Sequence, residues 1–181
     1  MKQRGQWLHW AVWGLFLIFP SVSRAEPTTS FEAGLFHPLQ TSPDDTSVVG
    51  FRFDLVYGVN DNLQGIDIGL WNETRGNAHG FELGADNRTG RNFGGAQVGL
   101  FNDVKRDFKG LQLGLIANVT RRTCEGFQAS VFFNEAEDEL RGVQLGIVNH
   151  TGSLYGLQIG LINLNDDKKY VGFMPFINAV F

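Results

Sequence analysis

The sequence predicts an all-β chain, and three observations predict it. A glycine-anchored block repeats along the chain, apolar and polar residues alternate strictly within each block, and no stretch beyond residue 25 shows helical periodicity. The blocks are GIDIGLWN from Gly65, GFELGADN from Gly80, GAQVGLFN from Gly95, GLQLGLIAN from Gly110, GFQASVFFN from Gly126, GVQLGIVN from Gly142 and GLQIGLIN from Gly156, seven units spaced by 14 to 16 residues. A degenerate eighth unit, GFRFDLVY, begins at Gly50. In one unit Val143, Leu145 and Ile147 point one way while Gly142, Gln144 and Gly146 point the other, which is the period-2 mark of a strand.

Residues 1–25 precede the repeat and read as an export signal. Lys2 and Arg4 stand before the apolar run WLHWAVWGLFLIFP at 7–20, and small residues at Ser23 and Ala25 suit cleavage before Glu26. An apolar run of 14 residues is shorter than the ~20 needed for a membrane-spanning helix. No Cys stands at the cut, so lipidation of a new N-terminus is not expected. The expected organisation is a signal peptide over 1–25 and a single β-repeat domain over 26–181.

Composition narrows the function. Of 15 basic residues, Lys2, Arg4 and Arg24 lie in the leader and no acid does, leaving 12 against 19 and a charge of −7 for residues 26–181. That balance lacks the basic stripe that nucleic acid demands, so no nucleic-acid partner is expected. One Cys in 181 residues cannot build a metal–thiolate site or a disulfide scaffold.

Between blocks the chain carries turn chemistry. Residues 74–77 (TRGN), 89–92 (TGRN) and 151–153 (TGS) place glycine where a tight turn demands positive φ, and 104–107 and 135–139 are charged turns. A unit of one strand and one turn fits two architectures: an antiparallel up-and-down meander of about ten strands closed as a barrel, or a parallel β-solenoid of 15-residue coils. The meander is the leading expectation. With a two-residue loop at Gly90 and Arg91 it sets Phe101 over Gly110, Trp71 over Gly80 and Leu100 against Leu111, so that large side chains cover strand glycines. In a solenoid the two glycines of each unit are expected to point outward without a purpose, at about 0.5–1 kcal/mol each. The asparagine column Asn72, Asn87, Asn102, Asn118, Asn134, Asn149 and Asn163 favours the solenoid, because stacked amides form ladders; its competing reading is an Asx turn at each strand exit. Pro38 and Pro175, in the first and last strands, suit open edges.

These blocks, with the opening FEAGLFHP at 31–38 and the closing FMPFIN at 173–178, resemble a loosely described family of bacterial surface-repeat proteins with iterated G-x-Q-x-G-L-x-N blocks behind a signal peptide. The resemblance covers nearly all of residues 26–181 and implies surface exposure in a Gram-negative-type envelope, with no activity to carry over. The blocks depart from it at Asp86 and at Ala129 and Ser130. The last strand alternates Phe173, Ile177, Ala179 and Phe181 and ends on Phe, which resembles the terminal signature of outer-membrane barrels. Three outward apolar positions per unit make a thin belt for such a barrel.

Chemistry is sparse. His37, His79 and His150 lie in different segments without a second ligand at metal spacing, and His150 with Ser130 or Ser153 is the only candidate nucleophile–base pairing. Glu135, Glu137, Asp138 and Glu139 lack the spacing of a calcium loop. The sequons at Asn72, Asn87, Asn118 and Asn149 fall in one repeat column and read as strand-to-turn chemistry. Cys124 aligns with Phe93, Phe108 and Leu140 and reads as a small apolar filler. Asp67, Glu82, Gln97, Gln112, Gln128, Gln144 and Gln158 form the one candidate lining, a polar inner layer that is acidic at one end. No catalytic, cofactor or metal residue is assigned. The expected protein is a non-enzymatic, exported envelope protein of the outer membrane or cell surface, with the lipid bilayer as partner and a structural or narrow-pore role. The alternative is a secreted or surface-attached binding or adhesion module built as a β-solenoid.

Overall fold

The computed structural model describes residues 26–167, 169 and 172–181, and the expected leader at 1–25 lies outside the described residues. Those residues form fourteen strands and no helix. β1 (Thr28–Phe36) and β2 (Leu39–Gln40) begin the fold. β3 (Ser47–Asn60), β4 (Leu63–Thr74), β7 (Phe93–Val104), β8 (Phe108–Thr120) and β13 (Leu154–Asn165) each follow most of one repeat unit. Three units break into pairs: β5 (Ala78–Leu83) with β6 (Asp86–Thr89), β9 (Thr123–Ser130) with β10 (Phe133–Ala136), and β11 (Glu139–Leu145) with β12 (Val148–Thr151). Two of the three are the units whose blocks depart at Asp86 and at Ala129 and Ser130. β14 (Phe173–Val180) is the last strand.

Consecutive units lie parallel and in register, with Gly95 beside Gly110, Gln97 beside Gln112 and Asn102 beside Asn118. The chain is therefore a parallel β-solenoid of nine coils, from β1 through β13, and not the closed antiparallel barrel of about ten strands that the meander reading favours. Phe101 lies beside Asp86 and Ala117 rather than over Gly110, and Leu111 lies beside Ala96 and Phe127 rather than against Leu100. Trp71 likewise neighbours Tyr57 and Asp86, not Gly80. Among the described residues antiparallel pairing occurs only at the two ends, where β2 folds onto β1 and β14 onto β13. Pro38 sits in the β1–β2 turn and Pro175 on β14, both at open ends of the stack, as their missing donors require.

The glycines explain the choice. The first glycine of every unit from Gly50 to Gly156 has φ between 133° and 147°, a region closed to ordinary L-residues, and there the strand bends. Each stacks on the one before it, so that a Cβ on Gly110 would lie far inside van der Waals contact with the carbonyl oxygen of Gly95. The second glycine leaves room for the ladder amide: a Cβ on Gly114 would meet Asn118 Oδ1 at 2.6 Å. Both positions thus have a purpose in a solenoid, and the backbone conformation of the glycines overturns the expectation that they disfavour one.

The interior is mostly polar. One column is apolar, running Val48, Leu63, Ala78, Phe93, Phe108, Cys124, Leu140 and Leu154, all buried. Phe93 and Phe108 stack with centroids 5.8 Å apart, and burial pushes the Cys124 thiol up to about 12. Most of the remaining inward positions carry Gln, Asn and Thr, with Val59, Val104 and Ala136 among them and charged residues, Arg52 and Asp67 included, towards the N-terminal end. Hydrophobic burial alone cannot hold such a stack, so its amides must be satisfied coil by coil.

Candidate functional site: polar ladders inside, an apolar wall outside

Two amide ladders run the length of the interior. In the first, Asn72 Nδ2 donates to Asn87 Oδ1, Asn87 to Asn102 and Asn102 to Asn118, each at 2.8 Å. Asn118, Asn134 and Asn149 continue the run to Asn163 at 2.8–2.9 Å. Each Nδ2 also donates to the backbone of the next coil, as Asn118 does to the carbonyl of Ala129 at 2.8 Å. The column is therefore the stacked ladder and not a set of Asx turns. Its four sequon asparagines are buried, pointing away from any glycosylating enzyme.

The second ladder points its donors the opposite way along the axis. Gln158 donates to Gln144 at 2.9 Å, Gln144 to Gln128 at 2.8 Å, Gln128 to Gln112 at 2.7 Å, Gln112 to Gln97 at 2.8 Å and Gln97 to Glu82 at 2.7 Å. Asn178 of β14 caps it at 3.0 Å from Gln158 Oε1. This is the lining expected from sequence, on the inside as expected, but packed solid in a coil instead of facing a barrel lumen.

At the N-terminal end the glutamine column turns ionic: Glu32, Arg52, Asp67 and Glu82 succeed one another in register. Arg52 is fully buried, grips Asp67 through Nε (2.8 Å) and Nη2, and donates from Nη1 to Asn60 Oδ1 at 2.7 Å. Asp54 Oδ2 lies 3.5 Å from Arg52 Nε. Both carboxylate oxygens of Glu32 and Asp54, and Oε1 of Glu82, have no hydrogen-bond partner. One guanidinium cannot neutralise four acids. Burial, opposed by Arg52 and reinforced by Asp54, lifts Glu32 to about 7; burial and the charge of Asp67 raise Glu82; burial likewise raises Asp54. Sequence reasoning included Asp67 and Glu82 in the lining but missed Glu32, Arg52 and Asp54, because the first coil carries no block and the unit at Gly50 is too degenerate to extend the column; the signal available was the spacing back from Asp67 to Arg52.

The outer surface inverts the usual pattern. The residues one, three and five places after each stacked glycine from Gly50 to Gly156 point outward in three parallel rows. All 24 are Phe, Leu, Ile, Val or Ala, and none is buried. Leu70 is 57% exposed, Leu115 56% and Leu161 58%. At ~4.8 Å per coil and ~3.3 Å per residue this wall measures about 38 by 15 Å, or roughly 600 Å², and a patch of that size on a soluble surface marks a contact site. Its backbone is already satisfied between coils, as where Ala85 N donates to Leu70 O at 2.8 Å and Leu100 N to Ala85 O at 2.9 Å. Only side chains remain for a partner.

The wall has polar borders. On one side run Gln64, His79, Lys109, Glu125, Arg141 and Tyr155, all but Glu125 well exposed. Beyond the opposite side Lys105 pairs with Asp103 within one coil, Arg121 reaches Asp103 and Glu137 on the coils either side of it, and Arg88 stands 4.9 Å over the ring of Trp71.

The remaining candidates separate. His150 faces Glu135 Oε1 at 3.3 Å and Asp166 Oδ2 at 3.1 Å, and neither Ser130 nor Ser153 contacts its ring. Glu137 pairs with Arg121, Asp138 with Arg122 and Glu139 with Arg141, so the acidic turn is divided among cations. His37 packs edge-on to Tyr57 at 6.1 Å, and His79 is exposed on the border of the wall. Among the described residues no group of three His, Cys, Asp or Glu side chains could hold a metal ion. No family model, no curated protein and no solved structure matches the chain.

Proposed function

We propose that this chain is a non-enzymatic contact module of the bacterial envelope: an exported, surface-attached β-solenoid that engages its partner through the apolar wall. The observation that carries the reading is the wall itself. Twenty-four outward positions in eight successive units hold no polar side chain, while the polar residues are spent inside on ladders that give the stack its rigidity. The leader-like sequence at 1–25 and the resemblance to surface-repeat proteins support export. A stiff rod with one adhesive side suits a binding or adhesion role, and nothing in its geometry suits a pore.

Fractionation of cells producing the full 181-residue chain tests this, using wild type and a variant with Leu113→Glu and Leu145→Glu. The expected result is an envelope-associated protein lacking residues 1–25 by mass, with the wall variant folded but released to the soluble fraction. Uncleaved protein in the cytoplasm, or an identical distribution of the two proteins, would overturn it, as would lipid or ester hydrolysis that His150→Ala abolishes.

A further inference from the structure

We infer that the partner seated on the apolar wall is a second copy of this chain, packed wall to wall as a two-fold dimer. The inference rests on the reading of the wall as a contact surface and names its occupant.

Three features select a second copy. The first is area. Two walls of roughly 600 Å² bury about 1,200 Å² together, which reaches the lower limit of stable protein interfaces before their borders are counted. The second is relief. The rows stand two residues apart along each strand and so are ridges ~6.6–6.8 Å apart with furrows between them. A sheet face of the same period is what interdigitates with such furrows, as the inner faces of two packed sheets do at about 10 Å separation. A shallow hollow lies on the wall towards each end of the rod. One hollow of about 560 Å³ is bounded by Leu145, Ile147, Ile159 and Phe176; another of about 470 Å³ is bounded by Leu55, Ile68, Leu70 and Leu83. A two-fold axis along the rod, placed midway between a ridge and the neighbouring furrow, lays the ridges of one wall into the furrows of the other.

The third feature is charge. Residues 26–181 carry −7, which opposes self-association and binding to anionic lipid alike. The wall contributes none of that charge, so wall-to-wall contact is the arrangement of two copies that brings no like charges face to face. The borders mix signs, with Lys109 3.2 Å from Glu125 and Arg141 3.0 Å from Glu139, instead of presenting the single basic rim that a lipid headgroup surface would favour.

The test is molar mass by light scattering on the purified chain, detergent-free, alongside flotation with neutral phosphatidylcholine vesicles. Wild type is compared with Leu100→Glu/Leu113→Glu, with the milder Leu100→Thr/Leu113→Thr, which suits a strand, and with His79→Glu outside the wall. Circular dichroism verifies that each folds. The expected result is a mass of two chains for wild type and His79→Glu, and at least a tenfold weaker dimer for the folded wall variants. A dimer unchanged by folded wall variants overturns the inference. A monomeric wild type that floats with vesicles in a wall-dependent manner also overturns it, yet leaves the contact-surface reading standing. A monomer that neither pairs nor floats removes both.

Discussion

Gly110 lies directly on Gly95, its φ of 136° turning the position that would carry a Cβ onto the carbonyl oxygen of the coil below. The same contact recurs from coil to coil, from Gly65 to Gly156. Parallel stacking is thereby built into the backbone, and replacing any one of these glycines strains two coils at once.

Gly110→Ala should accordingly cost about 3 kcal/mol or more, combining a forbidden φ with a steric clash. Gly172→Ala is the control, because among the described residues its added methyl would have no neighbour closer than Asn165 O at 3.6 Å; it should stay within about 0.5 kcal/mol of wild type. Urea unfolding midpoints compare the two directly.

Asn118→Ala removes the acceptor of Asn102 and the donor to both Ala129 and Asn134 in one step. Orphaning buried amides should cost about 2–4 kcal/mol. Asn118→Asp should cost at least as much at pH 8, since a carboxylate cannot donate to the Ala129 carbonyl. Chemical denaturation at fixed temperature measures both variants.

The ionic end of the glutamine column makes stability depend on pH with an unusual sign. Glu32 and Glu82 are raised in the folded state, so the folded form binds protons more tightly than the unfolded chain. Their favourable contribution is full below the ordinary glutamate range and is lost as pH rises through about 7 for Glu32. The melting temperature should fall between pH 5 and pH 8. Glu82→Gln extends the amide ladder by one rung, should stabilise the fold at pH 8 by about 1–2 kcal/mol and should flatten the slope. Arg52→Met should do the reverse, costing about 3–5 kcal/mol by leaving Asp54 and Asp67 unpaired.

Inside and outside can also be told apart by truncation. Leu140 is fully buried in the apolar column, and Leu140→Ala should cost about 2–5 kcal/mol. Leu115 is a wall residue 56% exposed, and Leu115→Ala should cost below about 1 kcal/mol at protein concentrations where the chain is monomeric. Thermal melts of the two variants at low concentration separate the roles.

Much of this was legible in the sequence. The period of Gly95, Gly110 and Gly126 located the units, the alternation at Val143, Gln144 and Leu145 assigned strand, and the same alternation put Gln inside and Leu outside, as the structure shows. The eighth unit at Gly50 is a full coil. The pairing direction was misjudged because a barrel and a solenoid sort Gln from Leu identically, and because positive φ at glycine is a backbone property invisible in side-chain bookkeeping. One signal did point the right way. Asn recurs at the same place in the seven units from Gly65 to Gly156, and parallel in-register stacking sets like on like, whereas an antiparallel meander sets Asn opposite some other residue. The segment from Phe31 was legible as a first strand, but not the placing of Glu32 beneath Arg52, since Phe31 and its neighbours share no block with the repeat.

Distances between spin labels along one exposed column test the solenoid with its outward wall most directly. In a Cys124→Ala background, cysteine replaces Gln64 together with Lys109, Arg141 or Tyr155 in turn, all four exposed on the border of the wall. They stand three, five and six coils apart, so pulsed electron resonance should give backbone separations rising steadily to about 14, 24 and 29 Å at ~4.8 Å per coil, plus a constant label offset. Separations that rise and then fall with unit number would mean a closed barrel, and would contradict the ladders, the wall and the function proposed for it.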